Sequence, residues 1–102
     1  MKGLPMKTLF TILGLTVMLS AANGSALYQK CAACHGLKAE KHALGKSEVI
    51  AGWNSDKTLE ALKGYKAGTR NTKGMGALMK GQVGNMNDAD LKALSDYITT
   101  LK

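Results

Sequence analysis

Residues 31–35 read Cys31-Ala32-Ala33-Cys34-His35, and they hold both cysteines of a 102-residue chain. A pair at this spacing has three physical uses: a local disulfide, part of a metal site, or covalent attachment of a prosthetic group. The adjoining histidine ranks them. Cys-x-x-Cys-His is the pattern in which two sulfurs join the vinyl-derived positions of a haem and the histidine gives an axial nitrogen to its iron. The spacing suits that chemistry, because residues three apart on a helical turn share a face and reach one porphyrin edge, while the next side chain turns under the metal. A thioredoxin-like dithiol would sit between a strand and a long helix of a larger α/β unit, and this chain has no strand series to supply one. A structural zinc site is short of ligands, since His42 is the only other histidine.

Toward the N-terminus the organisation changes. Lys2 and Lys7 precede Leu9-Phe10-Thr11-Ile12-Leu13-Gly14-Leu15-Thr16-Val17-Met18-Leu19, and Ser20-Ala21-Ala22 follows. A basic start, a short apolar run and small residues form a secretory leader. The run of 11 residues falls short of the roughly 17–25 needed to cross a bilayer, so permanent anchoring is the weaker reading. Residues 1–22 are therefore expected to be a cleavable signal peptide and residues 23–102 a single domain of about 80 residues. Loss of Lys2 and Lys7, with no acid, lowers the formal net charge from +7 to +5. This basic balance favours acidic protein surfaces or anionic lipid. Nucleic acid is not an expected partner, because the lysines are scattered and export separates the chain from cellular nucleic acid.

Downstream of the leader the periodicity is helical. Residues 25–34 form an expected first helix, capped by Asn23 or Ser25, with Leu27, Cys31 and Cys34 on one side. Gly36 permits a sharp exit, and residues 37–53 read as a loop with at most one helical turn. A second helix begins near Asp56 behind Asn54 or Ser55 and stops at Gly68. Residues 77–83 suggest a turn that presents a methionine. Asn87 caps the final helix, whose buried face is Leu91, Leu94, Tyr97, Ile98 and Leu101. Beyond the leader the aromatic side chains are Tyr28, Trp53, Tyr65 and Tyr97. They are too few for an ordinary interior, so a haem is expected to supply part of the core and the chain without it to be unfolded or molten.

The segment 24–102 resembles the small bacterial class I cytochromes c. The resemblance rests on Gly24-Ser25-Ala26-Leu27-Tyr28 leading into Cys31-Ala32-Ala33-Cys34-His35-Gly36, on a late methionine, and on the terminal Leu91/Leu94-Tyr97-Ile98 pattern. It implies an all-α fold of three to five short helices around one covalent haem c, with the first and last helices in contact. It implies Cys31 and Cys34 as the thioether residues, His35 as proximal ligand and, in Ala77-Leu78-Met79-Lys80, Met79 as distal ligand. Met75 and Met86 are the competing thioethers, expected to be loop or pocket residues, and His42 is expected to face solvent. Trp53, Tyr65 and Asn71 are candidates to line the pocket or bond a propionate. Many relatives carry a proline about a dozen residues after the proximal histidine; this chain has Ser47 there, and a carbonyl of Gly45, Lys46 or Ser47 is the expected acceptor for His35 Nδ1.

The expected function is that of a soluble, monomeric, periplasmic one-electron carrier rather than an enzyme. Its partners would be redox proteins with acidic docking surfaces facing Lys30, Lys38, Lys41, Lys46, Lys73 and Lys80. Two alternatives stay open: a haem sensor or weak peroxidase with an open sixth iron position, and a cytochrome subunit of a larger respiratory complex. The intact mass of the exported protein is expected to correspond to a chain beginning at Asn23 and carrying one haem.

Overall fold

Three asparagines start helices within residues 23–102, the part of the chain that the computed structural model describes. Asn23 accepts from the Ala26 amide at the head of α1 (Gly24–His35). Asn54 accepts from the Asp56 amide at 2.8 Å at the head of α2 (Ser55–Ala67). At α4 (Asp88–Thr99), Asn87 accepts from the Asp90 amide at 2.8 Å while the Asp90 carboxylate accepts from the Asn87 amide at 3.1 Å. Each carboxamide satisfies an amide that the helix leaves unpaired, and the reciprocal pair at α4 satisfies two. Gly68 ends α2 in the left-handed conformation, at φ +82.

A fourth helix, α3 (Gly76–Val83), replaces the short turn expected at 77–83. Its glycines lower the local propensity, but Gly76 and Val83 are both buried, and tertiary packing overrides propensity at this level. Asn71 supports it from outside, its side-chain oxygen accepting from the Gly76 amide at 2.8 Å. Single 3₁₀ turns at Ala43–Gly45 and Thr72–Gly74 interrupt the loops, and the described residues contain no strand. The fold is the expected all-α arrangement of short helices. The expected leader, residues 1–22, lies outside the described residues.

The core gathers Tyr28 of α1, Leu62 of α2, Val83 of α3, Met86, and Leu91, Leu94 and Ile98 of α4. Met86 lies in the loop between α3 and α4, as expected, and its side chain is 4% exposed in this core. Its amide bonds back to the Val83 carbonyl at 3.0 Å, closing α3 and turning the side chain inward, and the Lys66 ammonium donates to its carbonyl. On α4 the buried face also includes Ser95, whose hydroxyl donates to the Leu91 carbonyl at 2.8 Å and so leaves no unpaired polar atom. Tyr97 and Leu101 are half-buried at its margin.

Helices α1 and α4 meet where α1 has no side chain. A Cβ on Gly24 would lie 2.3 Å from the Ala93 carbonyl oxygen and 2.8 Å from Tyr97 Cβ. One turn later Tyr28 packs against Tyr97, with ring centroids 5.7 Å apart. Gly24→Ala is therefore expected to destabilise the haem-loaded protein by about 1–3 kcal/mol through overpacking. Gly81→Ala in α3, where an added Cβ meets nothing within 4 Å, is expected to stabilise it by up to about 1 kcal/mol from helix propensity. Urea denaturation of both variants checks the contrast.

Candidate functional site

Helix α1 ends on His35, and the chain after it is held by main-chain bonds to that helix. Gly36, at φ +91, turns the backbone away while its amide bonds to the Ala32 carbonyl at 2.9 Å. The Gly36 carbonyl accepts twice, from the Ala39 amide at 3.1 Å and from the Tyr28 hydroxyl at 2.6 Å. The Lys41 amide then donates to the His35 carbonyl at 2.9 Å. This sequence of bonds fixes the end of α1 against its own interior. His35 is 7% exposed, and burial lowers its pKa, so its imidazole is neutral at physiological pH.

Beside His35 opens a cavity of about 280 Å³. Cys31, Cys34 and His35 enter it from α1, Ala61, Leu62 and Tyr65 from α2, Leu78, Met79 and Gln82 from α3, and Ile98 from α4. Ile50 and Trp53 close it from the long loop. Trp53 is itself held in place: the Thr99 hydroxyl donates to its carbonyl, and Lys57 Nζ lies 3.8 Å from its ring centroid. The four residues expected from the sequence to act together, Cys31, Cys34, His35 and Met79, thus line one space. Met75, at the head of α3, lines it too. His42 does not and is exposed. Of the three candidate pocket residues, Trp53 and Tyr65 border the cavity; Asn71 does not, because its side chain is engaged at the α3 start.

The chemistry of the lining discriminates among the uses of the cysteine pair. Both thiols are free. Burial pushes the Cys31 thiol up, against the lowering effect of Lys30, whereas an attacking thiol of a redox dithiol is held low. Among the described residues no three side chains of histidine, cysteine, aspartate or glutamate gather as a metal cluster would. A neutral imidazole, a thioether and two thiols on an apolar cavity instead fit a covalently attached haem.

Two buried side-chain polar atoms lack a hydrogen-bond partner among the described residues, His35 Nδ1 and Arg70 Nε. The first corrects an expectation. None of the carbonyls of Gly45, Lys46 and Ser47 takes the His35 proton; the Ser47 carbonyl accepts instead from His42 Nδ1 at 2.9 Å, a local closure over five residues. The second is a cavity residue that sequence reasoning missed. Arg70 is the chain's only arginine, and that singularity was its one signal among 13 lysines.

Tyr28 joins this site to the core, and its pKa is pushed from 10.0 to about 12 by burial first and by nearby Cys31 and Glu40 next. Below pH 10 the phenol is protonated whether the chain is folded or not, and its contribution is fully present. Between pH 10 and 12 the unfolded chain loses that proton while the folded one retains it, so stability falls as pH rises. Tyr28→Phe is expected to cost about 1 kcal/mol at pH 7 for the lost bond to Gly36. It is also expected to make the alkaline loss shallower, read by urea denaturation across pH 9 to 12.

The sequence pattern of the family described as Cytochrome c matches residues 21–102. Cytochrome c-553 of Helicobacter pylori strain J99 is 38% identical over 91 residues, covering 89% of this chain and 91% of that protein. Cytochrome c-553 of Nitratidesulfovibrio vulgaris strain Miyazaki F is 36% identical over 81 residues, 79% of this chain and 78% of its own. Cytochrome c-554(547) of Halothiobacillus neapolitanus is 34% identical over 90 residues, 80% and 97% of the two chains.

Proposed function

This chain belongs to the cytochrome c family, and on that premise we propose that it is a soluble periplasmic one-electron carrier in which Cys31 and Cys34 tether one haem c while His35 and Met79 ligate its iron. The observation that carries the proposal is the shared cavity: residues 44 positions apart, His35 on α1 and Met79 on α3, border the same apolar space with both thiols. When bound, the haem supplies a one-electron couple at its iron.

The protein's part is to hold, orient and shield. Cys31 and Cys34 tether the group at two points, so its retention does not depend on pocket affinity. His35 is neutral because it is buried, and its lone pair is available without loss of a proton at pH 7. The Met79 thioether requires no deprotonation at any pH. Ala61, Leu62, Ile50 and Ile98 exclude water from the interior wall. The α3 wall, Leu78, Met79 and Gln82, contains no titratable side chain, which favours electron transfer over acid–base chemistry at that face.

A periplasmic location follows from the leader expected at residues 1–22. Among the described residues no helix is long and apolar enough to cross a membrane. Exposed Lys30 and Lys73 border the cavity together with exposed Leu44 and Leu78, a basic rim with apolar patches that suits an acidic redox partner. Lys38, Lys41, Lys46 and Lys80 are exposed but do not line the cavity.

Met79→Ala is expected to abolish the low-spin, methionine-ligated absorption spectrum, whereas Met75→Ala leaves it in place. Spectra of both oxidation states check this; an unchanged Met79→Ala spectrum removes Met79 as ligand. Reduction by an acidic partner is expected to slow several-fold between 0.1 and 1 M salt, as the screening length contracts from about 10 to 3 Å.

A further inference from the structure

The His35 ring makes no hydrogen bond of its own among the described residues. Its Nδ1 is buried without a partner, and the Ser47 carbonyl is taken by His42 at 2.9 Å. A ring nitrogen that donates to a fixed carbonyl has its plane held by that bond, and His35 lacks this restraint. The main chain beside it is restrained instead. The peptide that joins His35 to Gly36 is engaged at both ends, its carbonyl by the Lys41 amide and its N–H by the Ala32 carbonyl, each at 2.9 Å.

The next peptide is held by a side chain. Gly36 stands at φ +91, and with no Cβ it leaves the chain after His35 wide conformational freedom. Its carbonyl accepts from the Ala39 amide at 3.1 Å and from the Tyr28 hydroxyl at 2.6 Å. The first bond is a turn of three residues within one loop. The second reaches back eight residues into α1, to a phenol that is 2% exposed and whose ring packs against Tyr97 of α4. The freest joint next to His35 is thus tied to the core of the molecule by one hydroxyl.

We propose that Tyr28 is a positioning residue for the axial imidazole: by fixing the Gly36 carbonyl, its hydroxyl sets the plane in which the His35 ring is presented to the cavity. This rests on the haem reading above. The plane matters because the overlap of an axial imidazole with the iron orbitals follows its orientation. The competing source of restraint is packing against the cavity wall, which leaves the plane unchanged when the hydroxyl is removed.

Proton NMR of the ferric, haem-loaded protein tests the assignment through the porphyrin ring-methyl resonances, whose order and spacing follow the planes of the axial ligands. Tyr28→Phe keeps the aromatic packing and removes the hydroxyl. It is expected to shift and respace the ring-methyl resonances while the methionine-to-iron absorption stays in place, which assigns the change to the His35 side. Gly24→Ala strains the same helix crossing without touching the bond, and is expected to lower stability with the methyl pattern unmoved. A haem-loaded Tyr28→Phe protein with the wild-type pattern overturns this proposal alone, as does a Gly24→Ala protein that reproduces the displacement in full. Should Tyr28→Phe fail to mature, the wild-type ferrous protein decides. A scalar coupling across a hydrogen bond from His35 Nδ1 to a carbonyl carbon, or rapid solvent exchange of the Tyr28 hydroxyl proton, removes the proposal; a slowly exchanging hydroxyl with no such coupling supports it. A wild-type chain with no haem signal removes the haem reading, and the proposal with it.

Discussion

The contact between α1 and α4 at Gly24 is the constraint on which the rest of the molecule depends. Backbone approaches side chain there with no room for a methyl group, and the two helices are locked in register over the following turn by Tyr28 and Tyr97. Because α1 carries both thiols and the imidazole, fixing α1 on α4 also fixes the reactive end of α1 in the molecule. The Tyr28 hydroxyl extends that control past the helix, gripping the Gly36 carbonyl next to His35. One buried phenol thus couples the helix crossing to the orientation of the site, and its burial is what pushes its ionisation to about pH 12.

A second constraint is the scarcity of core. The buried apolar residues form one cluster packed against α4, and beside it opens a cavity of about 280 Å³. Chains of this size bury a smaller fraction of their surface than larger domains do, and a covalently held planar group is one way to complete such an interior. The polar accounting agrees with that reading. His35 and Arg70, the residues whose buried nitrogens lack partners, both border the cavity, while Ser95 on the protein-filled side is satisfied by its own helix. Unpaired polarity is concentrated where a ligand would be, and absent from the buried face of α4.

How much of this was readable from the residues depends on how local the cause was. Helix starts at Asn23, Asn54 and Asn87, the stop at Gly68 and the sharp exit at Gly36 are properties of a few adjacent residues, and the structure has each of them. The contact of the first and last helices, implied by the resemblance, is made where α1 lacks a side chain, with Gly24 against Ala93 and Tyr97. Met86 sits in a loop as expected, but its burial in the core was not legible, because that burial comes from the turn after α3, which no neighbouring residue announces. The acceptor for His35 Nδ1 was misread because the Ser47 carbonyl had a nearer claimant in His42. Arg70 carried no pattern at all; Gly64 of α2 and Gly76 of α3, two glycines from separate helices, make its position.

The sequence by itself determined the helical class, the attachment chemistry implied by Cys31, Cys34 and His35, and the approximate places of three of the four helices. These follow from spacing and capping, which act over one or two turns of chain. Only the tertiary structure decided that Met79 and Met75 share a cavity with His35 while Met86 does not, and that Arg70 stands unpaired on that cavity's wall. Such facts depend on which helix faces which, and that is set by close packing between segments dozens of residues apart.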